Sequence, residues 1–232
     1  MTRIDVIQKL IDAKRAKTYL EIGVEYQACF LQIKAPRKIA VDPKLIFWDK
    51  KTMAKRYLKN LWSNIFNKYY EMTSDDFFRT QHQLFGKRKI DVAFIDGLHE
   101  YNQVIRDVNN CLDHLTEGGV IVLHDCNPKS EEEAFPSDRL PAPDRSWMGD
   151  VWKAVVYFRS CRPDVNIFVL DADAGLGIMT RRKPDSVLPY TAENIENLSY
   201  RDLERNRAEM LNLKSTAYLE EFLKTLKSYR GS

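Results

Sequence analysis

The chain has 232 residues, of which 44% are hydrophobic and 30% charged, a composition that excludes extensive disorder. Its 36 Lys and Arg residues nearly balance 33 Asp and Glu residues, and this net charge of +3 gives no reason to expect a nucleic-acid partner. No apolar run approaches the roughly 18–20 residues of a membrane helix, and the N-terminus lacks a signal-peptide core, so we expect a cytoplasmic protein without a membrane partner.

Hydrophobic periodicity divides most of the chain into alternating helices and strands. In chain order it predicts helix 3–16, strands 18–24 and 38–41, helix 45–67, strand 69–72, helix 74–85, strand 90–95, helix 100–116, strand 120–123, helix 150–161, and strands 166–170 and 176–180. Such alternation is typical of an α/β domain with a largely parallel sheet. We assign residues 1–183 to this domain.

Two segments depart from this alternation. Residues 126–149 hold four prolines and few apolar anchors, which predicts a long loop that closes over a substrate as a lid. Residues 184–232 are polar with apolar stripes and predict a helical C-terminal extension. We expect its helices to pack on the sheet or on the second subunit of a homodimer.

The predicted helix 45–67 combines aromatic and basic residues, including Tyr57, Lys59 and Trp62. This combination also occurs in surfaces that bind nucleic acid. Because the apolar residues recur at helical spacing, we expect them to form one packed face, with the lysines solvated on the other.

Titratable side chains and a glycine follow the predicted strands at the point where each strand ends. Ligands of open parallel sheets bind at this edge, beyond the carboxyl ends of the strands. The first strand ends in Glu21 and Gly23, and Asp42 follows the second strand, 19 residues after Gly23, a spacing that suits a ribose-binding acid. The alternative is a turn glycine and an ordinary Asp-Pro loop. The three-glycine dinucleotide fingerprint and the P-loop are both absent, which argues against NAD enzymes and ATPases.

The next two strands of the chain end in Asp96, with His99 one turn later, and in His124-Asp125. Acids at the ends of neighbouring strands can converge on one cation, and carboxylates suit Mg²⁺ or another hard divalent ion. Alternatively, His99 or His124 acts as a general base. The third possibility is that these residues only form turns and loop caps.

Six segments together resemble the class I S-adenosylmethionine (SAM)-dependent methyltransferases, in particular their small O-methyltransferase-like branch, some members of which use a metal. These segments are YLEIGV at 19–24, IAVDP at 39–43, MTSDDFF at 72–78, FIDGLHEY at 94–101, GGVIVLHDCNP at 118–128 and GDVWKAVV at 149–156. The resemblance implies a Rossmann-like sheet of seven strands in the order 3-2-1-4-5-7-6. The last strand is antiparallel, and helices cover both faces.

The resemblance also implies roles for single residues. Glu21 and Gly23 would face the methionine part of SAM, and Asp42 its ribose. Ser74, Asp75 and Asp96 complete the expected cofactor residues, the first two beside the adenine. Asp96, His124 and Asp125 would hold a divalent metal such as Mg²⁺, and His99, His124 and Asp125 are the expected catalytic residues.

The reaction expected from this resemblance is O-methylation of a small-molecule or carbohydrate hydroxyl, with metal assistance or with a histidine base. One departure from the family is Gln27, which stands where the cofactor turn usually has a second glycine. Its side chain either crowds the cofactor or reshapes the turn. A catalytically degenerate cofactor-binding or scaffold domain is therefore the alternative function. RNA methylation is a third hypothesis, for which the sequence offers no RNA-binding appendage.

Overall fold

Eight strands form one sheet in the computed structural model, which describes residues 1–25, 27–46, 50–136 and 147–228. Their order across the sheet is β3-β2-β1-β4-β5-β7-β6-β8. The strands are β1 (Thr18–Ile22), β2 (Arg37–Asp42), β3 (Lys68–Glu71), β4 (Ile90–Ile95), β5 (Leu115–Leu123), β6 (Asn166–Leu170), β7 (Leu176–Thr180) and β8 (Leu213–Lys214).

The predicted order of the first seven strands is confirmed. Strand β7 runs antiparallel to both of its neighbours, β5 and β6, while the other pairings are parallel. The eighth strand, Leu213–Lys214, was not predicted, because two residues are too few to show a period of two. It adds to the edge of the sheet beside β6.

Helices cover both faces of the sheet, as expected. They are α1 (Arg3–Lys14), α2 (Lys50–Lys59), α3 (Leu61–Asn64), α4 (Ser74–Gln81), α5 (Tyr101–Asp113), α6 (Val151–Cys161), α7 (Ala192–Glu196), α8 (Tyr200–Met210) and α9 (Tyr218–Ser228). Alternate residues of each strand enter two separate apolar clusters: Leu20 lies in one and Tyr19 in the other. This alternation is the pattern of a sheet that is buried on both sides.

The prediction of one packed apolar face for helix 45–67 is wrong. Residues 47–49 lie outside the described part of the chain. In the part that follows, Trp62 is 87% exposed and Phe66 71% exposed, whereas Asn60 and Asn64 are buried. Both asparagines donate hydrogen bonds from their amides to the backbone carbonyl of Leu31, at 3.2 Å. Polar side chains therefore help attach this segment to the protein, and its most exposed apolar side chains, Trp62, Phe66 and Leu58, face outward.

Backbone hydrogen bonds hold the first residues of the predicted loop 126–149. Cys126 and Asn127 donate backbone hydrogen bonds to the carbonyls of Gly175 and Ala174, at 3.0 Å in both cases. Residues 137–146 of this loop lie outside the described part of the chain. Its role as a lid stays a prediction.

The C-terminal extension carries its apolar stripes into the core. Of the six apolar residues that form these stripes in the sequence, Leu213 is half-buried, and the other five are buried: Leu203, Met210, Leu219, Phe222 and Leu226. The domain boundary near residue 183 and the homodimer stay predictions. Within the described residues, every helix is too short or too polar to cross a bilayer.

Candidate active site

A cavity of about 580 Å³ opens at the carboxyl ends of β1, β2, β4 and β5. Its size lies within the roughly 300–1,000 Å³ typical of small-molecule sites. The structure brings seven of the predicted site residues together in its lining: Glu21, Gly23, Asp42, Asp96, His99, His124 and Asp125. Parallel strands gather their carboxyl ends at one edge, and this brings residues from distant parts of the sequence into one site.

Gly23 allows the loop after β1 to cross close to the end of β4. Its φ of +82° lies in the left-handed region, and a Cβ atom added there would lie 2.0 Å from the backbone oxygen of Asp96. No side chain fits in that space. The glycine therefore allows the loops after β1 and β4 to pack against each other where they line the cavity.

Asp42 organises the same loop through its carboxylate. One oxygen accepts hydrogen bonds from the backbone amides of Val24 and Glu25, both at 2.8 Å, and the other accepts from Lys44 at 2.7 Å. A carboxylate can accept about four hydrogen bonds. One acceptor position of Asp42 thus stays open for a ligand hydroxyl.

Glu21 lies buried beneath the cavity. The hydroxyl of Tyr19 donates a hydrogen bond to its carboxyl group at 2.5 Å. Burial raises the pKa of Glu21 to about 8, because the charged form loses its hydration. Glu21 is therefore mostly protonated at neutral pH, and the negative charge of the cavity comes from the other acids.

Two imidazoles and two carboxylates converge at one end of the cavity. Nδ1 of His124 lies 2.9 Å from Oδ2 of Asp125 and 3.1 Å from Oδ1 of Asp96. Nε2 of His99 lies 3.1 Å from the same Asp125 oxygen and 3.5 Å from the same Asp96 oxygen. The four side chains thus present two oxygens and two nitrogens to a common point.

These contacts shift the ionisation of the whole cluster. Burial alone would raise the pKa of Asp96, but its contacts with His124 and His99 hold that pKa well below the usual range. Burial alone would lower the pKa of His124, but the carboxylates of Asp125, Asp173 and Asp96 raise it to about 11. The pKa of His99 is raised for the same reason, also against the effect of burial. The two carboxylates therefore favour positive charge beside them, either from protonated imidazoles or from a cation.

A divalent metal ion fits this cluster. One ligand atom each from Asp96, His124 and Asp125 lies within 4.8 Å of the others. Nδ1 of His124 is buried and has no hydrogen bond of acceptable geometry, although two carboxylate oxygens are close to it. Two carboxylates and an imidazole are ligands for Mg²⁺, Mn²⁺ or Fe²⁺.

Sequence reasoning missed two charged residues of the site. Arg3 places Nη1 2.7 Å from Oδ2 of Asp96 and Nη2 3.1 Å from Oδ1 of Asp173. Asp173 also accepts from Nε2 of His124 at 3.4 Å. Asp173 could have been found, because it follows strand β6, whose carboxyl end lies at the same edge of the sheet. Arg3 could not have been identified from the sequence, because the pattern of an amphipathic helix does not indicate what the residues of its first turn contact.

Two predicted cofactor residues lie away from the cavity. Oγ of Ser74 accepts a hydrogen bond from the amide of Gln103 at 3.1 Å, and Asp75 pairs with Arg106 at 3.4 Å. Neither Ser74 nor Asp75 belongs to the described lining of the cavity. Their place beside the adenine stays a prediction.

Gln27 lies buried in the turn after β1. Its φ of +55° keeps the left-handed conformation that a glycine adopts easily, and its backbone amide donates to the carbonyl of Val24 at 2.6 Å. The side chain is 1% exposed, and its amide nitrogen has no hydrogen-bond partner among the described residues. Gln27 is not part of the described lining of the cavity, whereas Ala28 and Cys29 are.

Part of the chain matches a known protein family. Residues 20–126 match a family described as "Methyltransferase domain". No curated protein matches the chain in sequence.

Solved structures share the fold at low sequence identity. One is an O-methyltransferase from Streptomyces achromogenes involved in tomaymycin synthesis, in complex with SAM. It is 14% identical, with a TM-score of 0.55 over 77% of this chain and 79% of that one. Another is an O-methyltransferase from Bacillus cereus in complex with SAH, 14% identical, with a TM-score of 0.56 over 78% and 82% of the two chains. The expected resemblance to the class I SAM-dependent methyltransferases is therefore confirmed, through the match of residues 20–126 to a methyltransferase domain and a fold shared with solved O-methyltransferases.

Proposed function

We propose that this protein transfers the methyl group of SAM to a hydroxyl of a small molecule or a carbohydrate, assisted by a divalent ion at Asp96, His124 and Asp125. The observation that carries the proposal is the acid–imidazole cluster, which lies at one end of a cavity of ligand size. Both solved relatives described above are O-methyltransferases. Molecules with a hydroxyl group are thus the first class of methyl acceptor to test.

The cavity suits the chemistry of SAM in three respects. Its lining includes Glu25, Asp42 and Asp96, whose negative charges attract a sulfonium ion. Asp42 keeps one acceptor position for a ribose hydroxyl. Gly23 lets the loops after β1 and β4 pack closely together at the edge of the cavity. SAM supplies an electrophilic methyl group, and the main contribution of the protein is to orient that group and the acceptor oxygen toward each other.

His99 is the better placed of the two histidines to receive the proton of the acceptor. Its side chain is 21% exposed, against 6% for His124, so an acceptor in the cavity can reach it. Nδ1 of His99 lies 3.2 Å from the backbone carbonyl of Trp147, which fixes the ring. Nε2 faces Asp125, whose charge stabilises the imidazolium that forms after proton transfer.

Asp96, His124 and Asp125 would hold the metal, which lowers the pKa of a bound hydroxyl. Oδ1 of Asp96 faces the two imidazoles, whereas Oδ2 is engaged by Arg3. The ion pair with Arg3 therefore leaves the proposed ligand oxygen available. Arg3 also limits how far the carboxylate can rotate.

The alternative function, a degenerate cofactor-binding or scaffold domain, rests on Gln27. If the side chain of Gln27 filled the proposed SAM site, the degenerate domain would be favoured. Gln27 instead lies buried outside the described lining of the cavity, and the turn keeps its left-handed conformation. This arrangement supports the methyltransferase over the scaffold.

Calorimetric titration of the full chain with SAM tests the first step, and we expect binding at micromolar concentration or tighter. Transfer is then tested with methyl-labelled SAM and a panel of catechols and sugars, with Mg²⁺ or Mn²⁺ and after chelation. We expect labelled product that depends on the ion. No binding of SAM would favour the scaffold, and transfer that survives chelation would remove the metal and leave the histidine base.

A further inference from the structure

The segment 58–66 exposes a stripe of large apolar side chains at helical spacing. Their exposed fractions are 64% for Leu58, 37% for Leu61, 87% for Trp62, 44% for Ile65 and 71% for Phe66. These five residues, which we call the apolar stripe, supply five of the eight large hydrophobic side chains that are exposed among the described residues. A group of exposed apolar side chains marks a surface that binds a partner protein, a ligand or a membrane.

The stripe faces outward because its opposite side is attached by hydrogen bonds. Asn60 and Asn64 donate from their amides to the carbonyl of Leu31, and Lys38 donates to Oδ1 of Asn64 at 2.6 Å. Ser63 accepts from the backbone amide of Ala35 at 2.9 Å. Since these polar residues take inner positions, the five residues of the stripe lie on the outer side of the segment.

A basic groove continues from the stripe along the amino-terminal edge of the sheet. Phe66 lines its first part, together with Arg37, Lys68 and Arg88. Arg37 and Arg88 also line its second part, a cavity of about 640 Å³. Three further cations complete that second part, and we call both parts together the basic groove: Lys17, Lys87 and Lys89.

The cations of the groove lack acidic partners within the described residues. The only carboxylate in the lining of either part is that of Asp91, which accepts from the backbone amides of Lys17 and Thr18 and from the hydroxyl of Thr116. The guanidinium of Arg37 donates hydrogen bonds to the backbone carbonyls of Arg88 and Leu84. Burial and the nearby charge of Arg88 lower the pKa of Arg37. An anion would relieve this accumulation of positive charge.

We infer that the apolar stripe and the basic groove together bind the surface of a bilayer that contains anionic phospholipid. Leu, Ile, Trp and Phe side chains enter the boundary between headgroups and acyl chains, while adjacent lysines and arginines bind the phosphates. Three of the five side chains are aliphatic, and aliphatic groups offer nothing for bases to stack on, which argues against single-stranded nucleic acid.

This inference replaces the expectation of no membrane partner. That expectation was drawn from hydropathy, which detects segments that span a bilayer and not helices that lie on its surface. The groove lies at the opposite edge of the sheet from the candidate active site. Membrane attachment therefore leaves the cavity open, and the inference does not depend on the proposed reaction.

Co-sedimentation of the full chain with vesicles tests the inference. We expect binding to vesicles of equal parts phosphatidylcholine and phosphatidylglycerol that is about tenfold or more tighter than binding to phosphatidylcholine alone, and that weakens as salt is added. The double variant Trp62→Ala/Phe66→Ala and the double variant Arg88→Glu/Lys89→Glu should each lose about tenfold or more. Val187→Ala, which shortens an exposed residue outside both surfaces, is the matched control and should bind like the wild type.

Conservative replacement separates lipid contact from misfolding. Trp62→Phe should still sediment with the vesicles but lose the blue shift of tryptophan fluorescence that the wild type shows on binding. Unfolding curves of all variants establish that they fold. The inference is overturned if anionic vesicles do not bind, if the double variants bind as well as the wild type, or if the chain binds only RNA or only itself.

Discussion

The two edges of the sheet differ in how their charged side chains are arranged and paired. At the carboxyl edge, acids and imidazoles are enclosed in a cavity and neutralise one another over distances of about 3 Å. At the amino edge, cations line an open groove without acidic partners among the described residues, next to exposed apolar side chains. An enclosed, self-balanced cluster suits chemistry on a small ligand, whereas an open surface of one charge suits contact with an extended one.

The largest effect that would test this comparison is loss of metal binding at the carboxyl edge. We expect Asp125→Ala and Asp96→Ala to weaken binding of Mn²⁺ by more than about 100-fold, because each removes a proposed ligand and not merely a partner of one. Asp75→Ala, which removes an acid outside the cavity, should bind like the wild type in calorimetric titration. Unchanged affinity in both cavity variants would remove the metal from the mechanism.

A methyl group at Gly23 tests the close approach of loop and strand. Gly23→Ala should destabilise the protein by at least about 2 kcal/mol, because the new Cβ meets the backbone of Asp96 and the φ of +82° is strained for alanine. It should also abolish SAM binding. Gly86→Ala is the matched control, since its Cβ meets nothing nearer than 3.5 Å. Equal denaturation midpoints for the two variants would contradict this close approach.

The pH dependence of stability tests whether Glu21 is protonated in the folded protein. The folded pKa of Glu21 lies above its ordinary value, so the folded state holds this proton more tightly than the unfolded state does. The free energy of unfolding should therefore fall as pH rises from about 4.5 to about 8, by on the order of 3–5 kcal/mol. Glu21→Gln should flatten this slope in urea titrations. Glu25→Gln, at an exposed acid of the same turn, should keep it.

The smallest effect is expected at Gln27. Gln27→Gly relieves the left-handed strain and removes an unpartnered buried amide, but it also leaves a space, so stability should change by less than about 1 kcal/mol. SAM affinity should stay within about threefold, because the side chain is outside the described lining. Strong SAM binding by the variant together with none by the wild type would establish the degenerate domain instead.

The sequence predicted the sheet order through a family resemblance, and strands β4, β6 and β7 to the residue, because buried strands are continuous apolar runs with clear ends. It also predicted seven of the residues that meet in the cavity, since they lie at or shortly after the carboxyl ends of β1, β2, β4 and β5. It could not predict Arg3, whose partner is set by tertiary packing. The outward face of α2 and α3 was missed for a similar reason: periodicity shows that a helix has an apolar side but not which side meets the protein.

The attachment of α2 and α3 through asparagine amides has a consequence for evolution and for protein engineering. Asn60 and Asn64 donate to main-chain oxygens, which every sequence possesses, and the most exposed outer residues, Leu58, Trp62 and Phe66, add little to the folded core. Homologous chains are free to alter these positions without losing the fold. Replacing them with glutamate or lysine offers a direct way to a more soluble, more easily crystallised form of the enzyme.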